Sequence, residues 1–336
     1  MTHRHLAVYI CLVVAAAGAV VFFTPTGTTI RYVADATPVP IPSPTPSEPV
    51  TLIFGGDVML SRSVGDAMVR ANDWAMPFRS IASVTAAADV MFVNLESVIS
   101  DKGAVAGCGY CFRADPRTIE GLQVAGIDVV SVANNHAWDY GPEAFADSLE
   151  RLASAGLGVA GGGTTLFNAR EPLVRTVRGT RIAYFAYTDM LPAGACATEK
   201  RTGVNCYDPV RMAEDITRAR SMADIVVVSF HTGDEYVGHN AKQTRIYRAA
   251  IDAGADIVAG HHPHVVQEVE RYQPEGQAGR VGWIAYSLGN FMFDQMWSEP
   301  TMRGLVLKVV VRDGAVSDVQ QIPIAISRGY QVSVGR

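Results

Sequence analysis

The residues of this chain best suited to chemistry stand where apolar runs give way to polar turns. Asp57 follows "TLIFGG", Asn94 and Glu96 lie in "FVNLES", and Asn134, Asn135 and His136 open "NNHAWDYG". His231 begins "HTGDEY", and His261, His262 and His264 form "HHPH". Five of the eight histidines therefore fall at three such junctions, with carboxylates and amides at the others. A single junction histidine is most simply a hydrogen-bonded structural residue. A set that gathers imidazole, carboxylate and amide oxygen is a ligand sphere suited to Mn, Fe or Zn rather than to calcium.

These residues need elements to position them. The runs "TLIF" (51–54), "DVMFV" (89–93), "IDVVSVA" (127–133), "RIAYFAY" (181–187), "DIVVVSF" (224–230), "DIVAG" (256–260) and "GWIAYSL" (282–288) are continuous rather than alternating. Such runs suit strands buried on both faces of an α/β sheet. Between them, 142–155 reads as a helix with proline near its start and Gly156 beyond its end. Asp208-Pro209 opens another helix, and 240–253 stops before Gly254. "LVLKVVVRDGAVSDVQQI" reads as a hairpin turning at Asp313-Gly314. With no internal repeat and no second linker, the pattern predicts one α/β domain over 50–330. Its ligand groups belong at the strand ends, where open α/β sheets bind.

The N-terminus is of another kind. Leu6 to Phe23 is a stretch of eighteen residues without charge, preceded by Arg4. That length is near the minimum for a transmembrane helix, so residues 1–24 read as a single-pass signal anchor with the domain outside the cell membrane. Cleavage after export, giving a secreted protein, is the alternative. Residues 37–49, "TPVPIPSPTPSEP", read as an extended polyproline stalk about 40 Å long at roughly 3.1 Å per residue. The net charge of −5 and the lack of any Lys/Arg run argue against a nucleic-acid partner. Outside the cytoplasm, Cys108, Cys111, Cys196 and Cys206 suggest two disulfides, most simply Cys108–Cys111 and Cys196–Cys206, although four cysteines permit three pairings. "CGYC" as a redox or zinc motif is the rival reading.

The motifs "GGDVMLSR", "VNLES", "ANNHAWDYG", "HTGDEY", "AGHHPHVVQ" and "YSLGNFMFD", in this order over about residues 50–297, resemble the CapA family. These are poly-γ-glutamate capsule biosynthesis proteins, a branch of the calcineurin-like metallophosphatase superfamily. The resemblance implies a four-layer α/β/β/α sandwich with one or two divalent transition metal ions (Mn, Fe or Zn) at one edge. By motif it implies Asp57, Glu96, Asn135, His231, His262 and His264 as metal ligands, with Glu96 in the bridging place. It implies His136 as the residue that stabilises a transition state or protonates a leaving oxygen. His261 then reads as a supporting residue. Asp139 either orients His136 or caps the helix that follows. The chain departs from the superfamily pattern at Met59, where a histidine is usual, and at Glu96, where aspartate is usual. It departs from the family at Thr232, where tryptophan is usual. One metal position would keep Glu96, Asn135, His231 and His262, and a looser one Asp57, Glu96 and His264.

The function implied is a metal-dependent hydrolase or transferase acting outside the cell on an anionic polymer, poly-γ-glutamate or a related capsule polymer. The alternative is a non-catalytic, polymer-binding subunit working with capsule synthase subunits in a membrane complex. Among smaller signals, Gly161–Gly163 reads as a turn or an anion cradle. Asp234 and Glu235 read as partners of His231 or as solvated acids. Asn290 and Asp294 are candidates to line the pocket.

Overall fold

The computed structural model describes residues 48–191 and 193–335. The apolar segment 1–24, Cys11 and the proline-rich stretch through residue 47 lie outside the described residues. Among the described residues no helix is long and apolar enough to cross a membrane.

Two mixed sheets carry the domain. In the first, the order is Val332–Val334, Ala315–Ile326, Arg303–Arg312, Val50–Val58, Val90–Leu95, Val129–Ser131 and Gly158–Ala160, with Asn290–Met292 also pairing with Val50–Val58. The second runs Val269–Tyr272, Gly282–Ala285, Ile257–His261, Ile225–His231, Thr180–Thr188 and Leu173–Val177. The central strands of both sheets are parallel, so their C-terminal ends collect at one edge.

Successive residues of a strand face opposite ways, and three apolar clusters follow from that. Phe54, Phe92 and Val129 of the first sheet meet Tyr184, Val227 and Ile257 of the second. On the outer face of the first sheet, Ile53, Met91 and Val130 pack with Val64, Met68, Phe145 and Leu152 of the helices Arg62–Ala71 and Gly141–Ser154. On the outer face of the second, Phe185, Val226 and Val228 pack with Met212, Ile216, Ile246 and Tyr247 of the helices Pro209–Ala219 and Ala241–Ala253. The layers are therefore helix, sheet, sheet, helix. This is why the runs read as continuous rather than alternating: both faces of each central strand are covered.

Local signals behave as their chemistry demands. The Asp208 carboxylate accepts from the Val210 and Arg211 N–H groups, with Pro209 at the first helical position. Asn240 and Gln243 form a capping box, and Gly254 closes that helix at φ 130°. The hairpin turns at Asp313-Gly314 as expected, joining Arg303–Arg312 to Ala315–Ile326. Some strands are shorter than their apolar runs, Val129–Ser131 and Gly282–Ala285 among them. The helix Arg62–Ala71 and the edge strand Leu173–Val177 have no counterpart among the apolar runs. Both disulfides form in the simplest pairing, Cys108–Cys111 and Cys196–Cys206.

One close approach sets the geometry of the site edge. A Cβ on Gly56 would stand 1.8 Å from the Gly289 carbonyl oxygen. Glycine there lets the end of Val50–Val58 lie against the segment that leads into Asn290–Met292, and the Asp57 N–H donates to Gly289 O at 3.0 Å.

Candidate metal centre

The C-terminal strand edge gathers the junction residues into one buried cluster. Asp57, Asn94, Glu96, His231 and His261 have no solvent exposure, and His262 and His264 have almost none. Asn94, the penultimate residue of its strand, links three of them. Its Nδ2 donates to Asp57 Oδ1 at 2.9 Å and lies 3.3 Å from Glu96 Oε2 and 3.2 Å from His231 Nδ1. Asn134 Nδ2 in turn donates to Asn94 Oδ1 at 3.1 Å and to Leu95 O at 2.8 Å. The sequence marked Asn94 as a junction residue and gave it no task; its position inside a strand hid its reach.

Asn135 Oδ1 stands 2.8 Å from His231 Nε2. The His262 N–H donates to Asp57 Oδ2 at 3.2 Å. His264 Nδ1 lies 3.0 Å from Asn290 Oδ1 and 3.2 Å from Asp57 Oδ2. Asn290 therefore belongs to the cluster. Asp294 does not: it pairs with Arg62 at 2.6 Å. The backbone here is unusual, with left-handed φ at His262 (97°), His264 (57°) and Tyr236 (64°). Such conformations cost roughly 1–3 kcal/mol each outside glycine and persist where surrounding structure fixes them.

His136 has a separate support. Its Nδ1 is 2.7 Å from Asp139 Oδ2, the same oxygen that accepts the Phe112 N–H at 2.7 Å. The Phe112 ring stacks on the imidazole at 3.8 Å between centroids. Asp139 thus orients His136; no side chain caps the helix that begins at Gly141. Phe112 adjoins the Cys108–Cys111 disulfide, and the Ala106 N–H donates to Asp139 O at 2.8 Å, so that loop is fastened to the same residue. The sequence offered no sign of this contact beyond the cysteines themselves.

Electrostatics divide the two central carboxyls. Burial pushes Glu96 well above the usual carboxylate range, and the charge of Asp57 adds to it. Burial acts on Asp57 in the same sense, but contacts with His261 and His264 outweigh it and hold Asp57 well below that range. Burial, then His262, keeps His231 well below the usual imidazole value. Burial, then His264, holds His262 down to about 4. The surroundings thus favour the charged form of Asp57 and the neutral form of Glu96.

Orphaned atoms show what this set of donors suits. Glu96 Oε1 is buried with no hydrogen-bond partner, as are His262 Nδ1 and both ring nitrogens of His261. Ring nitrogens of His231 and His264 each stand 3.7 Å from Glu96 Oε1, and His136 Nε2 stands 3.9 Å from it. These gaps exceed a hydrogen bond, whereas atoms ligating one ion at 2.0–2.2 Å stand roughly 3–4 Å apart. Ligand atoms of Glu96, His231 and His262 lie within 4.8 Å of one another, as do those of Asp57, Glu96 and His264. The residues fit a divalent transition metal. Met59 falls outside these groups: it is fully buried in the apolar cluster, and its sulfur accepts from the Ser61 N–H at 3.2 Å and hydroxyl at 3.1 Å. His261 belongs to neither group and lies 3.4 Å from Asp57 Oδ1. Ser287 Oγ accepts the Gly289 N–H at 3.1 Å, and Gly162–Gly163 pairs with Gly203–Val204 in a small ladder.

Comparison with known proteins gives the family. The family described as bacterial capsule synthesis protein PGA_cap matches residues 51–295. The capsule biosynthesis protein CapA of Bacillus anthracis is 31% identical over 293 residues, covering 84% of this chain and 69% of that protein. The PGA biosynthesis protein CapA of Bacillus subtilis (strain 168) is 33% identical over 265 residues, covering 78% and 68%. Among solved structures, the NAD nucleotidase of Haemophilus influenzae shares the fold with a TM-score of 0.50 at 11% identity, covering 83% of this chain and 50% of that one. With a family match across most of its length, this chain belongs to the CapA family of bacterial capsule synthesis proteins.

Proposed function

We propose that the chain is a metal-dependent hydrolase or transferase, anchored in the cell membrane and acting outside it on poly-γ-glutamate or a related anionic capsule polymer. The observation that carries the chemical part is Glu96 Oε1, buried without a hydrogen-bond donor while imidazole nitrogens stand 3.7 to 3.9 Å away. Glu96, Asn135, His231 and His262 would hold one ion, and Asp57, Glu96 and His264 a second. When bound, a divalent ion would supply Lewis-acid polarisation of a carbonyl or phosphoryl oxygen.

The chain's own residues do the rest. Asp139 holds Nδ1 of His136 and the Phe112 ring fixes the imidazole plane, so Nε2 is the atom that takes or gives a proton. Asn94 keeps Asp57 and His231 in register. Arg62 lies over the Phe112 and Tyr110 rings, with Nε and Nη2 held by Asp294, and offers its remaining N–H groups to an anionic chain. The polymer is the substrate class named by the family. Anchoring is supported by the uncharged stretch 6–23 and the proline-rich 37–49, and export by the two disulfides.

The test is turnover by the purified full chain loaded with Mn, Fe or Zn, using poly-γ-glutamate and a phosphate monoester as substrates. Cleavage or transfer that disappears in His136→Ala supports the enzyme. Full metal loading with no turnover of either substrate would instead favour a polymer-binding subunit of a synthesis complex, for which the apolar Met59 in place of an imidazole is the motivating observation.

A further inference from the structure

A third group of ligand atoms adjoins the two described above. A carboxylate oxygen of Glu235 lies within 4.8 Å of ring nitrogens of both His262 and His264. The group shares His262 with the set around His231 and His264 with the set around Asp57, so Glu235 stands beside both positions. It is also the exposed member: every other residue of the three groups is buried. The buried ligands cannot change their surroundings without moving the sheets, whereas Glu235 sits on a surface segment.

The segment holds Glu235 there. It leaves the strand Ile225–His231 and turns back, and the Tyr236 N–H donates to Pro263 O at 2.9 Å, between His262 and His264. The Tyr236 ring faces His264 at 6.1 Å between centroids. Its neighbour Asp234 is occupied elsewhere, accepting from Asn240 Nδ2 at 2.8 Å. One atom points to a ligand beside Glu235: His262 Nδ1, with His262 only 4% exposed, has no hydrogen-bond partner among the described residues. An unpaired imidazole nitrogen at that depth is costly unless something coordinates it. Of the two positions, the one formed by Asp57, Glu96 and His264 has three ligands, against four in the other.

We propose that Glu235 is the rim ligand of the metal centre, standing against His264 as a fourth ligand to the position of Asp57 and Glu96, with His262 of the other position beside it. The inference rests on the metal-centre reading above and adds a residue to it. Glu235 makes the outer side of the centre a carboxylate face, and it is the ligand that can detach without disturbing the core.

Calorimetric titration of the metal-free full chain with Mn(II), with Mn(II) electron paramagnetic resonance to count bound ions, tests this. Glu235→Gln is expected to weaken the more loosely held ion at least tenfold, in the range typical for loss of a supporting contact. The tighter ion should stay within twofold, and Asp234→Asn should match the parent at every ion. Thermal unfolding of the metal-free Glu235→Gln variant should be unchanged, since the residue is exposed. If Glu235→Gln binds each ion as the parent does, Glu235 is no ligand and the proposal fails while the metal centre stands. If the parent chain binds no Mn, Fe or Zn, the metal-centre reading fails and takes this proposal with it.

Discussion

Carboxylates stand at both ends of the parallel strands, and the two ends treat them in opposite ways. At the N-terminal end, Asp89, Asp128, Asp224 and Asp256 accept the N–H groups of Thr51, Met91, Arg181 and Val226, each at 2.8 Å. Arg178, Arg181 and Arg220 pair with Asp89, Asp224 and Asp256. At the C-terminal end no Lys or Arg among the described residues pairs with Asp57 or Glu96; their neighbours are imidazoles and an amide. One edge is therefore a row of satisfied staples between adjacent strands. The other keeps buried polar atoms without partners and residues in left-handed backbone. Stability is concentrated where the polar groups are paired, and the capacity to bind is concentrated where they are not.

Substitutions at the two edges should accordingly move stability and metal binding in different directions. The largest effect is expected at Glu96, shared by both metal positions. Glu96→Gln should lower Mn(II) affinity at least a hundredfold, while raising the unfolding temperature of the metal-free chain, because it removes a carboxyl that burial disfavours. A fall in stability with metal affinity intact would break the contrast. Next comes Asp256→Ala, which strands the Val226 N–H and takes from Arg220 its carboxylate partner. It should cost about 2–3 kcal/mol in denaturant unfolding with the bound-metal count unchanged.

A pH titration sharpens the same point on a paired carboxylate. The buried Asp147 carboxyl is held at about 2, where contacts from Arg151, Ser100 and Lys102 outweigh burial. Its folded value lies below the ordinary one of about 3.9. Its stabilisation is therefore complete above about pH 4 and is lost as the pH falls towards 2. Asp147→Asn should flatten the acid limb of the stability curve over that interval, by at most about 3 kcal/mol. An unchanged acid limb would count against the pairing. The smallest effect is expected at Met59→Leu, a volume-conserving exchange in the core costing less than about 1.5 kcal/mol. Metal affinity should stay within twofold, since position 59 is packing rather than ligand.

Much of this contrast could be read before any coordinates. The apolar runs give the strands, and the residues after them give Asp57, Glu96, Asn135, His136, His231, His262 and His264, because strand order forces those ends to one edge. The aspartates that begin "DVMFV", "DIVVVSF" and "DIVAG" were equally visible, yet their bonds to neighbouring strands were not, since register between strands is a property of the sheet. Phe112 against His136 was hidden for a different reason: a loop 24 positions away in the chain crosses to reach it, and nothing local marks the crossing. Glu235, with Asp234, reads in the sequence as a partner of His231 or as a solvated acid, and only the fold brings it within reach of His262 and His264. Met59 looked like a lost ligand and proves to be core.

The central claim is that the unpaired edge exists to hold metal. Its most direct test is native mass spectrometry, with elemental analysis, of the purified full chain and of His231→Ala after incubation with Mn(II), Fe(II) or Zn(II) and desalting. The account predicts that the parent chain retains at least one transition metal ion and that His231→Ala, with an unchanged circular dichroism spectrum, retains none. A parent chain that emerges without metal from all three incubations, or a folded His231→Ala that retains as much as the parent, would contradict it.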